Sequence, residues 1–195
     1  MSRPVGVILA AGLATRMGRP KQLLPYRETT VLGSVIAAAR RSHLERVILV
    51  LGAYGDEVAV AVDTTEVAVV RNPQPERGNL SSLLVAVAEA GDAPILLLMG
   101  DMPGVSSAVI DAHLAAWEES PAWMRITGYR DGRGHPFVMS PEFVAGLSDL
   151  EGPKPLWSLA QGPATEILAV PHAMPVDVDT PQDYGEALTR DAAES

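Results

Sequence analysis

Apolar positions along the chain fall into two kinds of run. Val5–Leu9, Arg46–Leu51 (RVILVL) and Ala93–Gly100 (APILLLMG) are short and almost unbroken. Bounded by turn residues, such runs predict strands covered on both faces. In Val31–Arg41 apolar residues instead recur at helical spacing, with Val31, Val35, Ala38 and Ala39 roughly on one face and Arg40-Arg41 near the end; cations there suit the helix dipole. Leu80, Leu83, Leu84 and Val87 repeat in the same way, as do Val109, Ile110, His113, Leu114 and Trp117 in a helix expected over Ser107–Glu118. Asp56–Val62 predicts a short helix capped by Asp56, and Glu66–Val70 a third strand. The alternation predicts a right-handed βαβ array of the α/β class.

The second half reads less regularly. Met124–Tyr129 and Pro136–Met139 predict two strands joined through Arg130-Asp131-Gly132-Arg133-Gly134, an antiparallel hairpin appended to the parallel sheet. A helix is expected over Pro141–Leu150, a late strand over Glu166–Val170, and a polar loop without regular structure over Asn72–Asn79. Val176-Asp177-Val178-Asp179 alternates with period two, which predicts a strand with both carboxylates on one face. Thr180-Pro181 then opens a last helix, proline suiting its first turn. Residues 1–190 read as one domain and 191–195 as a frayed tail.

Composition narrows the classes. A chain of 195 residues with 47% hydrophobic residues can bury a sizeable core. A formal net charge of -9 argues against general nucleic-acid binding. With no cysteine, a disulfide scaffold and a thiolate metal site are excluded. No apolar run approaches the roughly 20 residues a membrane span needs, and the amino terminus lacks a signal-peptide pattern. A soluble cytoplasmic protein is expected.

Candidate chemistry starts in the loop Leu9-Ala10-Ala11-Gly12-Leu13-Ala14-Thr15-Arg16-Met17-Gly18-Arg19-Pro20-Lys21. Glycine and alanine let backbone N–H groups close on an anion. Arg16 offers a planar fork to phosphate oxygens and Lys21 a mobile point charge. An ordinary strand-to-helix loop with surface Arg and Lys fits the composition equally well. Asp101 follows the most apolar strand, where open α/β sheets bind ligands; alternatively it caps the helix beginning near Ser106. Asp177 and Asp179 repel one another unless a cation or proton lies between them, or they are simply edge-strand surface groups. Ser81 and Ser82 stand at a helix start as caps or as nucleotide contacts, His113 reads as a core or helix-surface residue, and Trp157 as core in preference to a ligand stack.

The loop matches, at Leu9, Ala10, Ala11, Gly12, Arg16, Met17, Gly18 and Lys21, the signature L-A-[AG]-G-x-x-x-R-M-G-x-x-K, and so resembles the MobA-like nucleotidyltransferases, most closely their molybdenum cofactor cytidylyltransferase branch. Gly100-Asp101-Met102-Pro103 resembles the family's metal-binding G-D-x-P, Gly134-His135-Pro136 the branch's acceptor-side G-H-P, and Asp177-Val178-Asp179-Thr180-Pro181-Gln182-Asp183 its D-x-D-T-P-x-D. One departure stands out: Glu151-Gly152-Pro153-Lys154-Pro155 replaces a G-D-x-G-A-R stretch, losing its arginine.

The resemblance implies a Rossmann-like, three-layer α/β/α fold of the nucleotide-diphospho-sugar transferase type, with a mostly parallel sheet and a small antiparallel hairpin extension. It implies catalytic roles for Arg16, Lys21 and Asp101, and nucleotide binding by Leu9, Ala10, Ala11, Gly12, Gly78, Ser82 and Gly100. It also implies Mg²⁺ (or Mn²⁺) on Asp101 with Asp179 or Asp177, Asp179 being favoured. The implied reaction transfers CMP from CTP to the terminal phosphate of molybdopterin, a phosphorylated pterin, and releases pyrophosphate, with a xanthine-dehydrogenase-type enzyme as client, no nucleic-acid or membrane partner, and a monomer or weak dimer as the working unit. GTP in place of CTP, a sugar- or alcohol-phosphate acceptor, and a non-catalytic cofactor carrier are the rival readings.

Overall fold

The computed structural model of the chain describes residues 2–12, 20–149 and 156–194, with side chains up to residue 147 in the second stretch and 190 in the third. The first apolar run forms β1 (Val5–Ala10), all six residues buried. After a 3₁₀ turn at Lys21–Leu23 come β2 (Pro25–Tyr26) and β3 (Thr29–Thr30), which pair antiparallel as a separate two-stranded sheet. Two residues per strand are too few for any period to register in the sequence. Helix α1 spans Val31–Arg41, capped by the Thr30 side chain, which accepts from the Gly33 N–H at 3.0 Å. Then follow β4 (Val47–Leu51), α2 (Gly55–Ala61), β5 (Ala68–Arg71), α3 (Asn79–Ala90), β6 (Ile95–Met99) and α4 (Ser107–Glu119). The chain continues through β7 (Met124–Tyr129), β8 (Gly132–Met139), α5 (Pro141–Ala145), α6 (Leu156–Leu159), β9 (Thr165–Ala169) and α7 (Pro181–Glu194), the last running into the stretch expected to fray.

Among the described residues, seven strands form one mixed sheet in the order β5-β4-β1-β6-β8-β7-β9. β1 lies between β4 and β6, parallel to both, so it is covered on two edges and two faces. That is why its run is apolar at every position. Alternate residues feed opposite layers. Val7, Leu9, Ile48, Val50, Ile95 and Leu97 pack with Leu80, Leu83 and Ala86 of α3. Ile8, Leu49, Leu51, Leu96 and Leu98 pack with Leu32, Val35 and Ile36 of α1 and with Ile110 and Leu114 of α4. The result is the expected three-layer α/β/α arrangement.

Several local expectations are corrected. Asp56 does not cap α2; Tyr54 holds the cap position, and Asp56 sits in the first turn, paired with Arg71 at 2.6 Å. Within the polar loop after β5, Pro75–Arg77 forms a 3₁₀ turn. The cap of α3 is Gly78, not a serine. Ser106 caps α4 by accepting from the Val109 N–H, which removes the capping role weighed for Asp101. The helix expected over Pro141–Leu150 is α5 followed by a 3₁₀ turn at Gly146–Asp149. Strand β8 starts at Gly132, so the hairpin turn is tighter than expected, and the pair lies within the main sheet between β6 and β9. Residues 176–179 form no strand; the Asp179 N–H donates to the Asp177 carbonyl at 3.1 Å, closing a tight turn about Val178.

Candidate active site

The carboxyl ends of β1 and β6 are brought together by their parallel register, which places Leu9 beside Met99. The Gly100 N–H donates to the Leu9 carbonyl at 2.8 Å. A Cβ at Gly100 would lie 2.9 Å from the Ala10 Cβ, so no larger residue fits between the two strand ends. Asp101 thereby leaves the sheet beside Ala11 and Gly12. Leu9, Ala10 and Ala11 are buried, whereas Gly12 is exposed. Two further residues support this loop without having been singled out in the sequence. Gln22 is buried and donates to the Ala10 carbonyl at 3.0 Å, and a Cβ at Gly52 would meet the Ala11 Cα at 2.9 Å. Arg16, Met17 and Gly18 lie outside the described residues, as does Lys154.

Lys21 joins the ends of the motif. Its ammonium lies 2.6 Å from Asp101 Oδ2 and 2.7 Å from Asp179 Oδ1, a span of 158 positions in sequence. The 176–179 segment is tied to Asp101 by its backbone: the Val178 N–H donates to the Asp101 carbonyl at 2.9 Å. The Val178 side chain is fully buried with Leu24, Tyr26, Val31 and Ala187. With Val178 turned inward, the neighbouring aspartates turn toward the strand ends, so the period-two reading holds although the strand does not. Carboxylate oxygens of Asp101, Asp177 and Asp179 all lie within 4.8 Å of one another. Asp183 plays a separate part. Its carboxylate accepts from the Thr180 N–H at 2.8 Å and the Asp179 N–H at 3.2 Å, while its own N–H donates to Thr180 Oγ1 at 3.3 Å. This reciprocal capping of α7 fixes the backbone that carries Asp179, and the bonds to Thr180 hold the Asp183 carboxyl below the usual range.

The electrostatics follow from three carboxylates around one ammonium. Burial works against the charge on Lys21, but the charge and hydrogen bonds of Asp101, then those of Asp179, outweigh it and raise the lysine above its ordinary range. Asp177 is pushed up to about 7 by partial burial and then by the charge on Asp101, with Lys21 opposing. Asp101 Oδ1 is buried and has no hydrogen-bond partner among the described residues. A buried carboxylate oxygen without a donor wants a cation or a proton. Three convergent carboxylate oxygens form a hard donor set of the kind Mg²⁺ or Mn²⁺ takes alongside phosphate and water, so the residues present fit such an ion.

A cleft of about 660 Å³ opens beside this cluster. Asp177, Met102, His135, Gly134, Arg133 and Trp157 are among its lining residues. β8 runs antiparallel to β6, which brings Gly134-His135-Pro136 to the same end of the sheet as Asp101. Pro136 and Gly134 are buried; the His135 ring stacks on Phe137 at 3.8 Å between centroids. Burial lowers the His135 pKa to about 4, so its imidazole is neutral at pH 7. Trp157, expected in the core, is 39% exposed on α6 at the cleft, its ring 5.9 Å from Phe137. The floor under β8 is a buried relay in which Tyr129 Oη donates to the His135 carbonyl at 2.6 Å and Thr127 Oγ1 to the Pro136 carbonyl at 2.9 Å. His113 is core, 2.8 Å from Thr127 Oγ1.

On the other side of the loop, Gly78 caps α3 at φ 85°. Ser82 is buried and its hydroxyl accepts from Asn72 Nδ2 at 2.9 Å; Ser81 takes the second amide hydrogen at the same distance. Asn72 also accepts from the Gln74 N–H. The serines thus brace the 72–79 turn through Asn72, a buried polar residue that no sequence motif marked.

Comparison with known proteins agrees with this arrangement. The model of the MobA-like NTP transferase domain matches residues 6–168. The Escherichia coli K12 molybdenum cofactor cytidylyltransferase is 27% identical over 186 residues, 94% of this chain and 95% of that protein. The Xanthomonas euvesicatoria molybdenum cofactor guanylyltransferase is 30% identical over 133 residues, 67% of this chain and 62% of that protein. Among solved structures, Rv0371c of Mycobacterium tuberculosis H37Rv superimposes with a TM-score of 0.87 at 38% identity, covering 96% of this chain and 98% of that one. A complex of Rv0371c with manganese gives 0.84 at 35% identity, covering 96% and 99%. With its sheet, its loop and its aspartates in this order, the chain belongs to the MobA-like NTP transferase family and is a nucleotidyltransferase.

Proposed function

We propose that the protein transfers CMP from CTP to the terminal phosphate of molybdopterin, giving molybdopterin cytosine dinucleotide and pyrophosphate. The observation that carries the reading is the convergence of Asp101, Asp177 and Asp179 on Lys21 at the joined ends of β1 and β6, open to a cleft. In this reaction an acceptor phosphate oxygen attacks the α-phosphorus, and the bond to the bridging oxygen of pyrophosphate breaks. The acceptor phosphate is ionised at neutral pH, so no general base is required. The work is to bring two anions together and neutralise them. Lys21 supplies one cation, and Arg16 in the same motif a second. Asp101 and Asp179, with Asp177, would hold Mg²⁺ or Mn²⁺, which supplies charge neutralisation on the phosphates when bound. The manganese complex of Rv0371c supports that assignment. Leu9, Ala10, Ala11, Gly12, Gly78, Ser82 and Gly100 would form the nucleotide side, and Gly134, His135 and Pro136 the acceptor side.

Ala11 in the Leu9-Ala10-Ala11-Gly12 motif and the whole-length similarity to the E. coli cytidylyltransferase support CTP. The similarity to the Xanthomonas guanylyltransferase supports GTP as the second reading. Incubating the protein with Mg²⁺, molybdopterin and each nucleoside triphosphate in turn, with mass detection of the product, separates the two. The reading predicts the cytosine dinucleotide with CTP; a guanine dinucleotide alone would move the protein to the guanylyl branch.

A further inference from the structure

On β8, Arg133 pairs with Gly128 and Phe137 with Ile126, partners two residues apart on β7, so both side chains face the same side of the sheet; His135 lies in the bulge between them, its ring stacked on Phe137. They pass from an exposed guanidinium through a half-buried imidazole to a buried phenyl ring. Trp157 leans on that same phenyl ring from α6, at an interplanar angle of 37°, and leaves part of its own ring uncovered toward the cleft. An exposed indole backed by packed aromatic rings is a rigid stacking platform with little freedom to lose. Charge in the cleft points the same way. Asp131, Asp177, Asp183 and Glu186 line it, and of its two arginines Arg190 is held by Asp131 at 3.5 Å and Glu186 at 2.7 Å. Arg133 has no ion pair among the described residues. An anionic substrate entering this acidic cleft therefore meets its free guanidinium fork at Arg133.

We propose that Trp157 and Arg133 set acceptor specificity: the indole stacks on a flat nitrogen heterocycle and the guanidinium takes the phosphate that the heterocycle carries. The assignment rests on the acceptor reading given above and adds the residues that enforce it. His135 beside them is neutral, its ring stacked on Phe137, so Arg133 is the cation offered to the phosphate there. Sugar and alcohol phosphates present no flat ring to Trp157, so the platform discriminates against them.

The test is steady-state kinetics of the full chain with Mg²⁺, CTP and molybdopterin, using Trp157→Leu, Trp157→Phe, Arg133→Gln and Arg133→Lys. Trp157→Leu raises the acceptor KM roughly ten- to hundredfold, the range for losing one aromatic stack, and leaves the CTP KM within about twofold. Trp157→Phe keeps most of the affinity, rising by about threefold. Arg133→Gln raises the acceptor KM similarly, and Arg133→Lys recovers part of it. The unchanged CTP KM shows that each variant is folded. An acceptor KM for Trp157→Leu within about twofold of wild type, or a parallel rise in the CTP KM, overturns the assignment. A wild-type protein that binds CTP and uses only a sugar or alcohol phosphate overturns the acceptor reading itself, a result visible before any variant is made.

Discussion

At the scale of single residues, Lys21 and Asp177 answer in opposite directions. Lys21 is buried rather than open to solvent, so its loss touches stability as well as turnover. Lys21→Met keeps the stem but leaves Asp101 and Asp179 facing one another, and urea unfolding at pH 8 should lose about 1–3 kcal/mol. Pyrophosphate release should fall at least about a hundredfold. Partial burial and the charge on Asp101 push the Asp177 carboxyl up to about 7, above its ordinary range. Its charge therefore costs stability as pH rises through that interval and costs nothing below it, where folded and unfolded chains both hold the proton. Asp177→Asn should stabilise the protein at pH 8 by at most about 1 kcal/mol, solvent screening included, and by nothing at about pH 3, below the ordinary carboxyl range. A melting series across pH checks both. Lys21 and Asp101 were legible because charged residues beside small ones at strand ends are a recognisable pattern. Gln22 and Asn72 were not: a buried amide serving backbone and hydroxyl partners carries neither charge nor period. Trp157 misled because a lone aromatic residue defaults to the core, and only the geometry of β8 and α6 shows its exposed face.

At the scale of elements, unbroken apolar runs and 3.6-residue periods found β1, β4, β6, α1 and α4, because burial on two faces or one face leaves that imprint. The 176–179 segment shows how the same signal goes wrong. Its alternation is genuine, with Val178 buried and the aspartates outward, but its backbone bonds to Asp101 instead of a neighbouring strand. Period two reports side-chain alternation, not pairing. Helix α7 makes a sharper statement. Thr180 and Asp183 cap each other's backbone, and Asp183 also accepts from the Asp179 N–H. Asp183→Ala should lower the urea midpoint and weaken Mn²⁺ binding, since Asp179 loses its anchor. Leu97→Ala, in the fully buried middle of β6, should cost about 2–5 kcal/mol and leave the activity of the folded fraction unchanged.

At the scale of the whole molecule, the parallel register of β1 and β6, the antiparallel return of β8 and the 176–179 segment converge on one end of the sheet. Nothing in local sequence encodes that convergence; the motif resemblance supplied it, and topology explains it. One buried and one half-buried histidine make the whole fold acid-sensitive. Burial, aided by Arg125, lowers His113 to about 3, and burial lowers His135 to about 4. Both gain protons only on unfolding, so their contribution is complete above about pH 6.5 and is lost as pH falls, by up to about 1.4 kcal/mol per pH unit for each. His113→Gln should flatten the decline in unfolding free energy between pH 6 and 4. The central claim is that a metal-dependent transferase site is built on Asp101, and pyrophosphate release from CTP and molybdopterin tests it most directly, with wild type and Asp101→Asn measured side by side. Release that requires Mg²⁺ and acceptor together, and that falls at least about a hundredfold in a variant that still unfolds cooperatively well above the assay temperature, is the predicted result. Equal release by the two proteins would contradict it.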